Sequence, residues 1–145
     1  MSNPIYLNFY NFSYDNIFNS FYNLNFFSIK SIIEIKINQK IIYCYTLFGL
    51  FLRILSIIND GALIIKYSNL NYKTISYIKN HNYKKYNYYV IKNLDIGFIK
   101  PNILLLLSEI IYLSNIFNIN LYIKLIIKNQ IYIFDNNIPT VYISN

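Results

Sequence analysis

The residues that could perform acid–base, nucleophilic or metal chemistry are few and widely spaced in this 145-residue chain. Cys44 and His81 are the only cysteine and histidine, so they can assemble neither a disulfide framework nor a zinc site. Cys44 lies in an apolar run, where packing is its expected role, and a single histidine gives little basis for a Ser-His-Asp arrangement. The six carboxylates stand singly along the chain. We therefore predict no enzymatic activity, no cofactor, no metal and no small-molecule substrate.

The charge pattern points instead to a polyanionic partner. Thirteen basic residues against six acidic ones give a formal net charge of +7, and all the basic residues except Arg53 are lysines. Seven lysines lie between Lys66 and Lys100, where Asp95 is the only acid and tyrosines are interleaved. Lysine side chains neutralise phosphates, and aromatic faces stack on unpaired bases. The segment therefore favours RNA as the partner.

The composition also indicates where the protein is made. Asn, Ile, Lys, Tyr and Phe dominate, tryptophan is absent, and Ala62 is the only alanine. Their codons consist mostly of A and T, a bias typical of an organelle genome. No Lys or Arg precedes Lys30, and Asp15 is present, so the start of the chain lacks the features of a basic import segment. We expect synthesis inside an organelle, with the mitochondrial matrix as first choice and the plastid as second.

Hydrophobic periodicity predicts an α/β fold of the α+β kind, divided into two small subdomains. Residues 1–85 are predicted as α-β-α-β-β, with helices over 15–25 and 39–59 and strands over 33–37, 62–67 and 73–79. Asp15 or Asn16 is expected to cap the first helix. Gly61 is expected to end the second helix in a left-handed conformation, so that a side chain there destabilises the fold.

Residues 86–145 are predicted as a mostly antiparallel β subdomain with one short helix, and as the part that contacts RNA. Strands are expected over 94–100, 103–107, 121–127, 130–134 and 140–143, with a turn at Lys128–Asn129. The helix is predicted over 109–117, with Ser108 as its cap and Glu109 at its positive end.

An apolar stretch over residues 41–58 leaves a membrane alternative open, because a membrane span needs about 20 mostly apolar residues. Its small and polar positions recur every three or four residues, however, which indicates a helix with one wet edge lying on a sheet. Membrane contact is therefore not expected. The alternative function is an accessory membrane subunit of an organelle respiratory complex. The periodic positions are Tyr43, Thr46, Gly49, Arg53, Ser56 and Asp60.

The order of elements and the turns between them, over residues 15–145, resemble small-subunit ribosomal protein eight. The run Ile57-Ile58-Asn59-Asp60-Gly61-Ala62-Leu63-Ile64 fits that family's acidic-Gly-aromatic-Ile turn, with Ala62 in place of the aromatic residue. The run Phe98-Ile99-Lys100-Pro101-Asn102 is similar to its Ile-Ser-Lys-Pro-Gly turn, and Glu109-Ile110 resembles the start of its following helix.

The resemblance implies a structural constituent of an organellar small ribosomal subunit, bound to small-subunit ribosomal RNA and to neighbouring ribosomal proteins. A soluble assembly factor is a further alternative. The family's Ser-Thr-Ser-Lys-Gly loop corresponds to residues 125–129, where only Lys128 and Asn129 match and the three hydroxyl residues are missing. The basic loop after His81 adds two lysines. The residues expected to bind RNA are Lys84, Lys85, Lys100, Pro101, Asn102, Lys124, Lys128 and Asn129.

Overall fold

The computed structural model describes residues 3–7, 13–22, 29–44, 46–68, 70–81 and 88–137. The helices are α1 Tyr14–Tyr22, α2 Leu47–Ile58, α3 Gly61–Tyr67, α4 Ile75–Asn80 and α5 Ile103–Ile116. The strands are β1 Ile5–Leu7, β2 Ile29–Ile37, β3 Lys40–Ile41, β4 Tyr88–Ile91, β5 Ile96–Ile99, β6 Leu121–Ile127 and β7 Gln130–Asp135. The predicted strand over residues 140–143 lies outside the described residues.

One five-stranded sheet organises the fold. Its strand order is β1-β7-β6-β2-β3, with β1 parallel to β7 and the other neighbours antiparallel. β4 and β5 form a separate antiparallel hairpin. Helices combined with a mixed sheet confirm the predicted α+β class. Because β2 pairs with β6, the sheet crosses the predicted boundary between residues 85 and 86 and joins the two parts through one core.

The alternation of β6 defines which face of the sheet meets the helices. Its odd-numbered side chains from Leu121 to Ile127 are buried, whereas Tyr122, Lys124 and Ile126 between them remain partly exposed. The buried side chains belong to a core cluster that also contains Ile17 of α1, Phe51 of α2 and residues of α5. The described helices therefore pack on one face of the sheet. We call the other the open face, where Tyr122 and Lys124 are partly exposed and Ile133 is buried.

The predicted helix over residues 39–59 is correct only in its second part. Asn38 and Gln39 both have positive φ (50° and 69°), which makes the two-residue turn between β2 and β3. α2 starts later, at Leu47, where the Thr46 side chain accepts a hydrogen bond from the Gly49 N–H at 3.0 Å. The predicted solvent-exposed edge is present within the helix, where Arg53 and Ser56 are exposed.

Gly61 does not end α2, so the predicted role of this glycine is wrong. Asn59 takes the left-handed conformation (φ 51°), and Gly61, whose φ is not positive, is the first residue of α3. The Asp60 side chain caps α3 by accepting the Leu63 N–H at 3.1 Å. Residues 62–67 are therefore helical rather than the predicted strand, because this local cap offsets the strand preference of their isoleucines.

Two further predicted strands are helical for the same local reason. The segment over residues 73–79 contains α4, which starts after Thr74 caps the Tyr77 N–H at 3.2 Å. The segment over 103–107 is the first part of α5, because Asn102 caps it and the helix continues to Ile116. Ser108 and Glu109 consequently lie inside a helix, buried, instead of at its start.

The other predicted elements are present with shifted bounds. α1 starts at Tyr14, and its first turn is closed by Ser13, not by Asp15 or Asn16: the Ser13 side chain accepts the Asn16 N–H at 3.4 Å. The predicted strand over 33–37 is the second half of β2, and the predicted strand over 94–100 contains β5. β6 and β7 flank the predicted turn at Lys128–Asn129.

No single helix among the described residues combines the length and the hydrophobicity needed to cross a membrane. α2 and α3 reach that threshold only when they are taken together, and the pair is bent by 113°.

Candidate nucleic-acid interface

The predicted residue Lys100, which precedes Pro101, lies beside a group of aromatic side chains of which Tyr89 is exposed and Phe48 is partly buried. The Lys100 ammonium is 4.7 Å from the centroid of the Phe48 ring. The centroids of the Phe48 and Tyr89 rings are 5.0 Å apart. Tyr89 is 44% exposed and stacks on Phe98 of the neighbouring strand. We call Phe48, Tyr89 and Lys100 the Lys100 patch. A cation beside accessible rings can contact a phosphate and a base at the same time.

Asn102 has a structural role that competes with RNA contact. Its side-chain oxygen accepts the Leu105 N–H at 2.9 Å, and its backbone is extended (φ −67°) rather than left-handed. The glycine-like role that the resemblance implies for Asn102 is therefore wrong, because the residue starts α5 instead of making a tight turn. Its amide group still marks the positive end of the helix, which favours a phosphate nearby.

Replacing Asn102 should measurably destabilise the protein through loss of this cap. We expect Asn102→Ala to lower the free energy of unfolding by about 1 kcal/mol, and Asn102→Asp to restore most of it because a carboxylate also accepts the Leu105 N–H. Urea unfolding of the two variants and of Asn93→Ala, an exposed control, measures this. Equal stability of Asn102→Ala and wild type would show that the cap contributes nothing.

Lys128 and Asn129 form an exposed two-residue turn between β6 and β7. Both have positive φ (48° and 64°), as a hairpin turn of this length requires. Asn129 thus occupies a left-handed position, which asparagine and glycine adopt more readily than other residues. The Lys128 side chain is exposed at the tip of the hairpin.

The structure separates Lys124 from the other predicted residues. Lys124 lies on the open face of the sheet, directly opposite Glu34 of β2, whereas Lys100 belongs to the layer that covers the core face. A surface that includes Lys100 therefore does not include Lys124. Lys84 and Lys85 lie outside the described residues.

Most described basic side chains are available to a partner. Among the described residues, the only ion pair joins Lys36 to Glu34 at 3.3 Å. Asp95, the single acid in the lysine-rich segment, accepts the Ile75 N–H at 3.2 Å at the start of α4. The positive charge is therefore not neutralised within the described structure. The basic residues that are exposed in the described part of the chain are Lys40, Arg53, Lys66, Lys79, Lys92, Lys100 and Lys128.

The groups with catalytic potential do not form a site in the described residues. Cys44 is half-buried against the core, and the His81 ring stacks on Tyr77 with 3.8 Å between centroids. No group of three or more His, Cys, Asp or Glu in the described part of the chain could hold a metal ion.

Glu109 is a buried carboxyl that the sequence reading misplaced. The hydroxyls of Ser68 and Tyr72 both donate to its Oε2, the latter at 2.9 Å, while Oε1 has no partner among the described residues. Burial raises the pKa of Glu109 to about 7, and the two hydrogen bonds limit the rise. The pKa values of Tyr14 and Tyr72 are also raised, mainly by burial and then by the nearby Glu109. The group is fully enclosed, so its effect is on stability.

A second polar site lies at one end of the open sheet face, and the sequence reading missed it. Lys36, Tyr122 and Asp135 are direct neighbours across β2, β6 and β7. They line a cavity of about 250 Å³ with three amide side chains from adjoining turns. Only the strand pairing brings these residues together, since they come from three distant parts of the chain. Those amides belong to Gln39, Asn120 and Asn137.

Comparison of the chain with protein-family models, with curated proteins and with solved structures gives no match.

Proposed function

We propose that this protein is an RNA-binding structural constituent of an organellar small ribosomal subunit, with small-subunit ribosomal RNA as its principal partner. The observation that carries the proposal is the set of exposed lysines that have no acidic partner among the described residues. Together with a net charge of +7, they are available to phosphates. The A/T-rich composition supports a mitochondrial location, with the plastid as the second choice.

The Lys100 patch and the Lys128–Asn129 turn are the proposed contact surfaces. A-form RNA is recognised mainly by shape and by phosphate and 2′-hydroxyl contacts, which lysines on turns and helix starts can make without a conserved motif. Unpaired bases in loops can stack on exposed rings such as Tyr89. The cation–π contact of Lys100 is worth only about 0.5–1 kcal/mol at an exposed site. A phosphate can therefore replace it.

The segments that follow the two family-like turns differ from the predicted order of elements. Residues 62–67 and 103–107 are helical instead of the predicted strands. The proposal therefore rests on exposed charge and on the Lys100 patch, with the resemblance as additional support from the Lys128–Asn129 turn.

Removing Lys100 and Lys128 together should weaken RNA binding and its dependence on salt. Each phosphate contact contributes about 0.7–0.9 to the slope of log K against log salt. We expect Lys100→Ala/Lys128→Ala to lower that slope by about 1–2 and to weaken binding uniformly across sequences. Filter binding to small-subunit ribosomal RNA at several salt concentrations measures both quantities.

Lys66→Ala is the control for the loss of one lysine, because it removes a single positive charge near the far end of α5, to be compared with half of the effect of the double variant. Lys66 precedes Tyr67, which contacts Tyr112 and Phe117 near the C-terminus of that helix. Lys100 lies at the other end, about 20 Å away at 1.5 Å per helical residue. An equal loss per lysine removed in both variants would show that binding does not use the proposed surfaces. Absence of the native protein from detergent-treated small subunits, with retention in carbonate-washed membranes, would contradict the function itself.

A further inference from the structure

We infer that the cavity at the end of the open sheet face binds an unpaired guanine base. This cavity, the Tyr122 pocket, is lined by Lys36, Gln39, Asn120, Tyr122, Asp135 and Asn137. The inference deepens the proposed function and rests on it for the source of the base, which would be a looped-out nucleotide of the ribosomal RNA.

The size of the pocket selects a small occupant. Its volume of about 250 Å³ is below the range of about 300–1,000 Å³ typical of sites for drug-sized ligands. A single base with part of its sugar fits such a space better than a complete cofactor does. Unpaired bases in RNA are commonly held by stacking on an aromatic ring, with hydrogen bonds to their edges.

The Tyr122 ring supplies the stacking surface. Tyr122 projects from β6 on the open face, and the Lys36 ammonium lies 5.2 Å from its ring centroid. The Lys36 side chain is 40% exposed, so a base that stacks on the ring can move the ammonium to its own edge. The stacking of one base on an aromatic ring typically changes affinity by about tenfold to a hundredfold.

The charged groups of the pocket match the edges of guanine. Asp135 accepts one backbone N–H, from Asn137 at 2.9 Å, and retains further acceptor capacity on both oxygens. Guanine presents two adjacent donors, N1–H and the N2 amino group, which a carboxylate can accept together. Lys36 can donate to O6 or N7, a common contact of guanine with basic side chains. Uracil and adenine do not combine two adjacent donors for the Asp135 carboxylate with a nearby acceptor for the Lys36 ammonium.

The local charge favours a base over a phosphate. Lys36 is already paired with Glu34, and Asp135 adds a second negative charge nearby, so the pocket is not basic. A phosphate group would be repelled there, whereas an uncharged base would not. This separates the Tyr122 pocket from the Lys100 patch, which is basic.

The rim of the pocket is held in place before any ligand arrives. The Asn120 N–H donates to the Asn38 side chain at 3.1 Å, and the Asn38 N–H donates to the Asn120 carbonyl at 2.8 Å. The Asn136 side chain accepts the Leu121 N–H at 2.8 Å on the neighbouring turn. A rim that is already ordered reduces the entropy that binding must remove. No hydrogen bond to another described residue occupies the Gln39, Asn120 or Asn137 side chain, so these amides can contact the base or sugar.

Titration of the full chain with nucleosides tests the assignment. Guanosine, adenosine, cytidine and uridine carry no phosphate, so they probe the pocket without the basic surfaces. We expect guanosine to bind at least about tenfold more tightly than the other three. Asp135→Asn should remove this preference, because the amide cannot accept both donors. Tyr122→Leu should weaken guanosine about tenfold or more, and Tyr6→Leu, an exposed tyrosine on the same face but outside the pocket, should change nothing.

A second measurement separates this assignment from the proposed function. Short single-stranded RNAs with one guanine, or with that guanine replaced by adenine, are compared with ribosomal RNA in binding assays. Guanosine preference without ribosomal RNA binding would overturn the proposed function and retain the pocket as a nucleoside site. Ribosomal RNA binding with no discrimination among nucleosides or among the short RNAs would overturn the pocket alone. Equal binding by wild type and Asp135→Asn would likewise overturn it.

Discussion

Gly61→Val is expected to destabilise the protein by at least about 3 kcal/mol or to prevent folding. A Cβ atom at Gly61 would lie 1.8 Å from the Leu94 carbonyl oxygen and 3.0 Å from a methyl group of Ile96. The oxygen belongs to the backbone of a short 3₁₀ turn over Lys92–Leu94, so a side-chain rotation cannot relieve the contact. The cause is this close approach, because the φ of Gly61 is not positive.

Gly61→Ala already introduces the clashing atom, so it should be nearly as damaging as valine. The matched control is Gly49→Ala inside α2, where the added Cβ would lie 3.3 Å from the Thr46 hydroxyl and meet no backbone. Alanine also favours helix over glycine, so the control should change stability by about 1 kcal/mol or less. Thermal and urea unfolding of the three variants measures the differences. Similar melting temperatures for Gly61→Ala and wild type would contradict the close packing of α3 on this turn.

Glu109→Gln is expected to stabilise the protein at pH 8 by on the order of 3 kcal/mol while having little effect at pH 5. Burial raises the pKa of Glu109 from 4.5 to about 7 in the folded protein. The folded state therefore binds a proton more tightly than the unfolded state. The contribution of this carboxyl to the free energy of unfolding is fully present below about pH 4.5 and is lost as the pH rises to about 7. Glutamine imitates the protonated form and keeps an oxygen that the Ser68 and Tyr72 hydroxyls can bond.

The test is a set of urea unfolding curves for wild type and Glu109→Gln between pH 5 and pH 8. The wild-type free energy of unfolding should fall between pH 5 and pH 8. The variant should lack the part of this decrease that comes from ionisation of Glu109. Glu34→Gln is the control, because Glu34 is a partly exposed carboxylate in a surface ion pair and should follow the wild-type profile within about 1 kcal/mol. Parallel profiles for wild type and Glu109→Gln would show that the carboxyl is not held protonated by the fold.

The strands with clear alternation could be predicted from the sequence because period two is a local property. In β2, Ile33, Ile35 and Ile37 alternate with Glu34 and Lys36, and the side chains of β6 alternate between buried and partly exposed. The Arg53 and Ser56 edge of α2 was likewise visible as a spacing of three to four residues. Such patterns require no knowledge of the rest of the fold.

The errors fall where isoleucine, leucine and tyrosine runs have no clear period. Residues 62–67 and 103–107 look like strands by composition, yet Asp60 and Asn102 cap helices at their starts. A capping hydrogen bond is worth about 1 kcal/mol and is enough to decide between two similar local preferences. The buried position of Glu109 follows from the same error, because a strand ending at residue 107 would have placed it at an exposed helix start.

Only part of the Lys100 patch could be predicted from the sequence. Lys100 and Pro101 stood out in the sequence, but Phe48 and Tyr89 reach them only through the packing of α2 on the β4–β5 hairpin. Lys124 was grouped with these residues, although it lies on the opposite face of the sheet. Sequence proximity to other lysines carries no information about which face of the sheet a side chain occupies.

The sequence by itself determined the α+β class, the excess of positive charge and the turn at Lys128–Asn129, because composition and short-range period are local properties. Tertiary structure alone decided that Gly61 touches Leu94, that Glu109 is enclosed, and that Lys36, Tyr122 and Asp135 share one pocket. Those contacts join segments that are 33 or more residues apart in the sequence, or 13 or more across the β6–β7 hairpin. They depend on strand register and helix packing, which arise from the core as a whole.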